Sequence, residues 1–330
     1  MASGNDAGLT MSDLAFPDSS PKALVALLPE PFRSPATLVL EYIQHGTFQR
    51  TMSLLVASTS VVSGMEVSYE HYRGSFSNPV MYTPILLSGA LAAAGTAAFF
   101  SRRMATTFLR YTSYITLVDG LVGFGFHVRG VARKPGGWRL PIYNLVMGPP
   151  LFAPLLFGTS AYLGVIASYL QREEDFGVRS KVIEIGTKLR KPDFREDIRT
   201  GRFQKHLCVV AAIGTLASGG ESWYSHYKDN FKYRVQWSPI LLTPLLSGAA
   251  LLSLKSERVA NTLLPVASVA AMVNGMVGTG FHIRGILRRP GGSKKPLYNT
   301  LYGPPIFAPM LFAACGLLGM MAYLMRRETE

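Results

Sequence analysis

The chain alternates long apolar blocks with short polar segments. The blocks fall near 51–70, 79–100, 105–128 and 145–170, and then near 206–225, 235–254, 259–282 and 299–325. Each block has about the twenty residues that a helix needs to cross the hydrocarbon core of a bilayer. Ala, Gly, Ser and Thr are frequent in them, and such small residues let membrane helices pack closely. The pattern predicts an all-α integral membrane protein with eight transmembrane helices.

The second group of four blocks repeats the first at a fixed distance along the chain. At an offset of 155, residues 41–175 align with residues 196–330 without a gap, and 55 of the 135 pairs are identical. Self-similarity over such a period is the mark of a duplicated structural unit. We therefore predict an N-terminal mobile or interfacial segment (1–40), a four-helix membrane repeat (41–175), a charged linker (176–195) and a second four-helix repeat (196–330).

The number of crossings per repeat determines the topology. Four crossings return the chain to its starting side, so the two four-helix bundles should share one orientation and be related by an axis along the membrane normal. Both termini and the linker then lie on one side. That side carries 20 Lys and Arg residues against 13 on the other, which favours the cytoplasm for the termini of a protein in the plasma (inner) membrane.

The charge balance agrees with a membrane location. Charged residues make up only 16% of the chain, yet the net charge is +13, because Lys and Arg are concentrated between the apolar blocks. Basic segments between apolar blocks are typical of loops at lipid headgroups, and they argue against a nucleic-acid partner. The basic loops are expected to contact anionic lipid or a partner subunit; they contain Arg129, Arg133, Lys134, Arg284, Arg288 and Arg289.

The polar residues that the two repeats share are predicted to lie near one membrane face. They occur at the ends of the first and third helices and the beginnings of the second and fourth, which meet the same surface in an up-down bundle. A "PGG" turn follows the third helix, and "GPP" is expected in the first turn of the fourth. The shared ionisable and aromatic residues are Glu66 and Glu221, His71 and His226, His127 and His282, and Tyr69 and Tyr224.

Ionisable side chains at membrane depth are costly to bury, so these residues are functional candidates. In the haem hypothesis, His71 and His127 hold one haem b iron axially, and His226 and His282 hold a second. In the second hypothesis, a Glu and two His hold a non-haem metal, or the same groups bind a quinone-type molecule. Glu66, Glu221 or Asp119 would then handle quinol protons as catalytic groups, with Tyr69 and Tyr224 lining the pocket.

Two further hypotheses remain open. In the first, the polar residues only fix helix ends, and the protein is a non-catalytic membrane scaffold or anchor subunit. In the second, the protein is a small-solute or proton-coupled transporter, for which Asp119 in mid-helix is the candidate proton site, although its counterpart is Asn274. Two four-helix bundles in tandem are also the arrangement of quinone-reactive subunits in some respiratory complexes, which is an analogy of fold only. It favours an electron-transfer subunit with partner subunits.

Overall fold

The chain is helical throughout the part that the structure describes. The computed structural model describes residues 20–176 and 193–327 and contains no strand within them. Residues 1–19 and most of the predicted linker lie outside the described residues. The helices are α1 (Pro21–Ala26), α2 (Glu30–His45), α3 (Gln49–Arg73), α4 (Thr83–Phe100), α5 (Arg110–Ala132), α6 (Pro141–Val146), α7 (Ala153–Tyr169), α8 (Phe194–Arg199), α9 (Gln204–Lys228), α10 (Ser238–Leu252), α11 (Leu263–Leu287), α12 (Pro296–Leu301) and α13 (Ala308–Leu324).

Most helix bounds of the first half recur in the second half at a fixed offset. The bounds of α9, α12 and α13 lie 155 residues after those of α3, α6 and α7, and α5 and α11 end at the same offset. Helix α2 has no counterpart among the predicted blocks. It begins at Glu30, with Pro31 in its first turn, and ends at Gly46, whose left-handed φ of 69° closes the helix.

Within each half the long helices pack on one another in the same way. Helix α3 packs on α4 and α7, and α5 packs on α4 and α7; α9 and α11 pack likewise on α10 and α13. The seam between the halves is formed by α9 against α6 and α7. At one end of that seam the rings of Phe48 and Phe203, which are 155 residues apart, stack with centroids 6.5 Å apart. One continuous buried core therefore extends across both halves.

Membrane character is confirmed for part of the predicted set of helices. Within residues 20–176 and 193–327, five stretches are long and apolar enough to cross a membrane: Pro79–Phe100, Arg102–Ala132, Ala153–Asp175, Arg234–Leu252 and Glu257–Leu287. Helix α13 is apolar but shorter. Helices α3 and α9 have the length, at 25 residues each, but are not among the five. They line the seam and bury Ser, Thr and Gln side chains against other helices, which lowers their mean hydropathy.

The two connections after α5 and α11 are built alike. The glycines of each "PGG" turn have positive φ values, with Gly136 at 78° and Gly291 at 85°, which a residue with a Cβ rarely adopts. The side-chain amide of Asn144 donates to the carbonyl oxygens of Pro135 at 3.0 Å and Gly137 at 2.7 Å. Asn299 makes the equivalent pair of bonds. The "YN" motif thus fixes the preceding turn.

The prediction that "GPP" forms the first turn of the fourth helix is wrong. Helix α7 begins at Ala153, after the motif, and the separate short helix α6 precedes it. Pro149 and Pro150 have no N–H to donate, so the helical hydrogen-bond ladder cannot run through them. Pro154 consequently lies in the first turn of α7, where a missing N–H costs nothing, and not in the interior of a longer helix.

Candidate functional site

Three of the four predicted histidines bond to a connecting segment. The Nδ1 of His71 on α3 bonds to the carbonyl oxygen of Met81, just before α4, at 2.6 Å. The Nδ1 of His127 on α5 bonds to the carbonyl oxygen of Pro150, just before α7, at 2.5 Å. His282 on α11 bonds to Pro305 in the same manner. Since a carbonyl accepts, each of these Nδ1 atoms donates, and in a neutral imidazole the lone pair is then on Nε2.

The glutamates lie elsewhere, at the seam between the halves. Glu221 on α9 reaches the first turn of α7 in the other half, where its Oε1 accepts the backbone N–H of Phe152 at 2.9 Å. The backbone N–H of Ala153 and the hydroxyl of Tyr224 also lie close to this carboxyl group. Helix α7 has no side-chain cap of its own at Phe152. Glu221 therefore satisfies N–H groups that a helix beginning leaves without partners.

Glu66 occupies the matching place at the seam but makes fewer contacts. It approaches the backbone N–H of Phe307, just before α13, and it lies near enough to Glu221 for their charges to interact. Its buried Oε2 has no hydrogen-bond partner among the described residues. A buried polar oxygen without a partner is costly, so this carboxyl group is a candidate contact for a ligand.

A groove of about 590 Å³ opens beside Glu66. Its walls are α3, α4, α12 and the segment that joins α12 to α13, so both halves contribute to it. The lining is mostly apolar, with Ser60, Glu66, Ser68, Tyr69, Tyr72, Ser88 and Thr300 as polar exceptions. That size and composition, an apolar cavity with a few convergent polar groups, are typical of a small-molecule site.

The two predicted tyrosines have different environments. The hydroxyl of Tyr69 faces the groove, donates to the carbonyl oxygen of Gly303 at 3.4 Å and accepts from Arg73 at 3.1 Å. Tyr224 is 8% exposed and lies beside Glu221. Tyr69 therefore lines the groove with its hydroxyl already bonded, whereas Tyr224 is buried at the seam.

Asp119 is held by a contact that does not depend on its charge. Its Oδ1 accepts the hydroxyl of Thr83 at the start of α4 at 2.7 Å. In the second half, Asn274 donates to the hydroxyl of Ser238 at 2.6 Å, so an amide in the equivalent position joins the same two helices. This parallel favours a packing role for Asp119 over proton transfer.

The predicted residues thus divide into two sets. His71 and His127 lie near enough to each other for their charges to interact, as do His226 and His282. The glutamates belong to the seam. Among residues 20–176 and 193–327, no group of three or more His, Cys, Asp or Glu is arranged to hold a metal ion. The hypothesis of a non-haem metal on one Glu and two His therefore finds no support in the described part of the chain.

Sequence reasoning missed the partners of the glutamates. The backbone N–H groups of Phe152 and Phe307 give no side-chain signal, and they lie in the opposite half from the carboxyl groups that approach them. The available signal was indirect: "GFHxRG", "GPP" and "FAP" repeat together with the glutamates at the same offset.

Comparison with known proteins adds no relative from which a function could be transferred. No protein-family model matches the chain, and neither a curated protein nor a solved structure matches it.

Proposed function

We propose that the chain crosses the bilayer eight times, as two four-helix bundles of the same orientation. The recurrence of helix bounds at an offset of 155 supports this, as do the contacts of equivalent residues across the seam at both of its ends. Helices α3 and α9 would cross in the interior of the molecule, where neighbouring helices replace lipid as their surroundings. That position explains why they are less apolar than the other helices.

We further propose that the protein is a membrane subunit of an electron-transfer assembly and that it binds a quinone-type molecule in the groove beside Glu66. The unpartnered Oε2 of Glu66 in an apolar groove carries the proposal. A quinol offers a hydroxyl group to this oxygen and an apolar tail to the walls. The groove is exposed at its rim, where Val61 and Met65 are 49% and 46% exposed, so a lipid-soluble molecule can enter from the bilayer.

The residues of the groove would bind and orient the molecule and accept a proton. Oxidation of a quinol to a quinone releases two electrons and two protons. Glu66 Oε2 would accept the hydrogen bond of one quinol hydroxyl and then its proton, which is the role of a general base. The electrons would pass to a redox centre of a partner subunit, and the second proton would leave to water at the membrane face.

The halves would not be equivalent in this function. Glu221 uses its oxygens on the N–H groups of α7 and on Tyr224, whereas Glu66 keeps one oxygen free. Phe152 also lies over Gly220, with its ring 3.4 Å from the position of a Cβ there. The first half would carry the binding groove, and the second half would hold the seam together.

A haem remains the second candidate ligand, and it would serve the same electron-transfer role. The observation in its favour is the orientation of His71, His127 and His282, whose Nδ1 atoms donate to backbone carbonyls, as metal-ligating histidines commonly do. When bound, a haem supplies one-electron chemistry. An optical spectrum of the purified protein tests this: a haem band that disappears in His71→Ala and in His127→Ala supports it, and a colourless protein refutes it.

The groove is tested by filling it. Gly89 on α4 lines the groove, and a Cβ at this position meets no atom within 4 Å, so Gly89→Leu should fold and block the site. Gly248→Leu on α10 is the matched control, because it also has open space and does not line the groove. Binding of a short-chain ubiquinone analogue to protein in nanodiscs is measured. We expect about a tenfold or greater loss in Gly89→Leu and in Glu66→Gln. Equal binding by Gly89→Leu and Gly248→Leu would refute the proposal.

A further inference from the structure

A second cavity lies at the same membrane face, on the opposite side of the seam. It has a volume of about 810 Å³ and is formed by the turn before α6, α6 itself and the end of α9, so the two halves again share it. Its lining differs from that of the groove beside Glu66. Arg139 and Lys228 bring two cations, and Tyr143, Tyr227 and Asn230 bring hydroxyl and amide groups. Because it has both cations and apolar walls, we call it the basic cleft.

The cations of the basic cleft are not neutralised by the protein. Neither Arg139 nor Lys228 has a carboxylate within ion-pairing distance in the described part of the chain. The nearest acidic groups are engaged elsewhere: Glu70 pairs with Arg73 at 3.6 Å, and Asp229 accepts from Gln236 at 3.0 Å. The positive charges of Arg73 and Lys134 also reach Lys228, as does the negative charge of Glu70. An anion is the ligand that such a site would favour.

The two halves differ in the charged residues at the ends of α3 and α9. Lys228 corresponds to Arg73, and the residue three positions earlier is Glu70 in the first half but Ser225 in the second. Arg73 is thus paired within its own helix, whereas Lys228 is not. Lys228 thus has no acidic partner on its own helix, although the charge of Glu70 reaches it from across the seam.

The apolar surface beside the cleft distinguishes a lipid from a soluble anion. Leu140, Ile142 and Met147 line the cleft and are 52%, 58% and 52% exposed, so they offer a surface to acyl chains. Tyr143 and Tyr227 are 62% and 49% exposed, and tyrosine is enriched at membrane interfaces. We propose that the basic cleft binds a phosphate-bearing anionic lipid, with its headgroup phosphate between Arg139 and Lys228 and its chains along the exposed apolar residues.

The test measures lipid binding with and without the two cations. Native mass spectrometry of the detergent-solubilised full chain is used to titrate phosphatidylglycerol against a background of phosphatidylcholine. Each basic residue at a lipid surface contributes about fivefold to binding, so R139Q/K228Q should bind phosphatidylglycerol roughly 30-fold more weakly. The matched control, K294Q/K295Q, removes two exposed cations from the equivalent turn of the other half, outside the cleft, and should leave this binding unchanged.

Further variants and competitors make the result decisive. The charge-preserving variant R139K/K228R should keep most of the binding, and it also answers whether substitution at these positions harms folding. The proposal is overturned if both glutamine pairs weaken binding equally, if R139Q/K228Q binds as the wild type does, or if inorganic phosphate displaces the lipid. It does not depend on the quinone proposal, because Gly89→Leu leaves the basic cleft untouched.

Discussion

The carboxyl group of Glu221 should contribute more to the stability of this protein than that of Glu66, although the two are equivalent in sequence. Glu221→Ala removes the acceptor of the Phe152 N–H bond at 2.9 Å and also the partner of the Tyr224 hydroxyl. A buried donor left without a partner costs about 1–3 kcal/mol. Because the Ala153 N–H and the Tyr224 hydroxyl also lie close to this carboxyl group, we expect the free energy of unfolding to fall by about 3 kcal/mol.

Two related variants should lose less unfolding free energy than Glu221→Ala. In Glu221→Gln the side-chain oxygen can still accept the Phe152 N–H, so we expect a loss of about 1 kcal/mol, typical of one weakened hydrogen bond. Glu66→Ala removes a single approach to the Phe307 N–H and also removes the unpartnered Oε2, so its cost should not exceed about 1 kcal/mol.

Reversible unfolding in mixed micelles of increasing dodecyl sulfate content provides the measurement. Tryptophan fluorescence reports it, since Trp223 lies on α9 beside the seam. The expected order of stability is wild type, then Glu66→Ala and Glu221→Gln together, then Glu221→Ala. Our description of the seam would be refuted by a Glu221→Ala protein as stable as the wild type, or by a Glu66→Ala protein less stable than Glu221→Ala.

Three further predictions concern the fold and its orientation. Gly201 has a φ of 71°, and a Cβ there would lie 2.3 Å from the carbonyl oxygen of Gln44. Gly201→Ala should therefore lower the free energy of unfolding by about 2 kcal/mol or more in the same micelle assay. Gly125→Ala, where a Cβ would meet open space, should not lower it. Asp119→Asn should keep the hydrogen bond to Thr83 and full stability, because Asn274 makes the equivalent bond in the second half. Asp119→Ala should lower the free energy of unfolding by about 1 kcal/mol. An Asp119→Asn protein as unstable as Asp119→Ala would contradict this prediction. Reporter fusions within residues 74–78 and 134–137 should lie on the same side of the membrane, and opposite sides would disprove the proposed topology.

Much of the helical framework could be predicted from the pattern of apolar positions. The blocks give helices because twenty apolar residues in a bilayer must satisfy their own backbone groups. The "PGG" turns could be predicted too, because the glycines supply the positive φ that the turn requires. The bounds of α6 and α7 could not, because Gly148, Pro149 and Pro150 divide an apolar block whose composition is otherwise continuous.

The candidate site was predictable only in part. Spacing along one helix places His71 and Glu66 on the same segment, but it does not indicate which other segment each one meets. The histidines bond to carbonyl oxygens of connecting segments in their own half. The glutamates approach backbone N–H groups at helix beginnings in the other half. Contacts of the second kind depend on how the duplicated halves dock. Docking is decided by surface fit between them, and no local pattern encodes that fit.

The reach of Glu221 into the opposite bundle has a consequence for how the polypeptide can be divided. Because the beginning of α7 is completed by a side chain from α9, an isolated N-terminal fragment would have bare amide groups there, exposed to hydrocarbon. If the chain is divided between residues 177 and 192 and both fragments are produced together, they should therefore associate without a covalent link. Either fragment produced alone should be degraded.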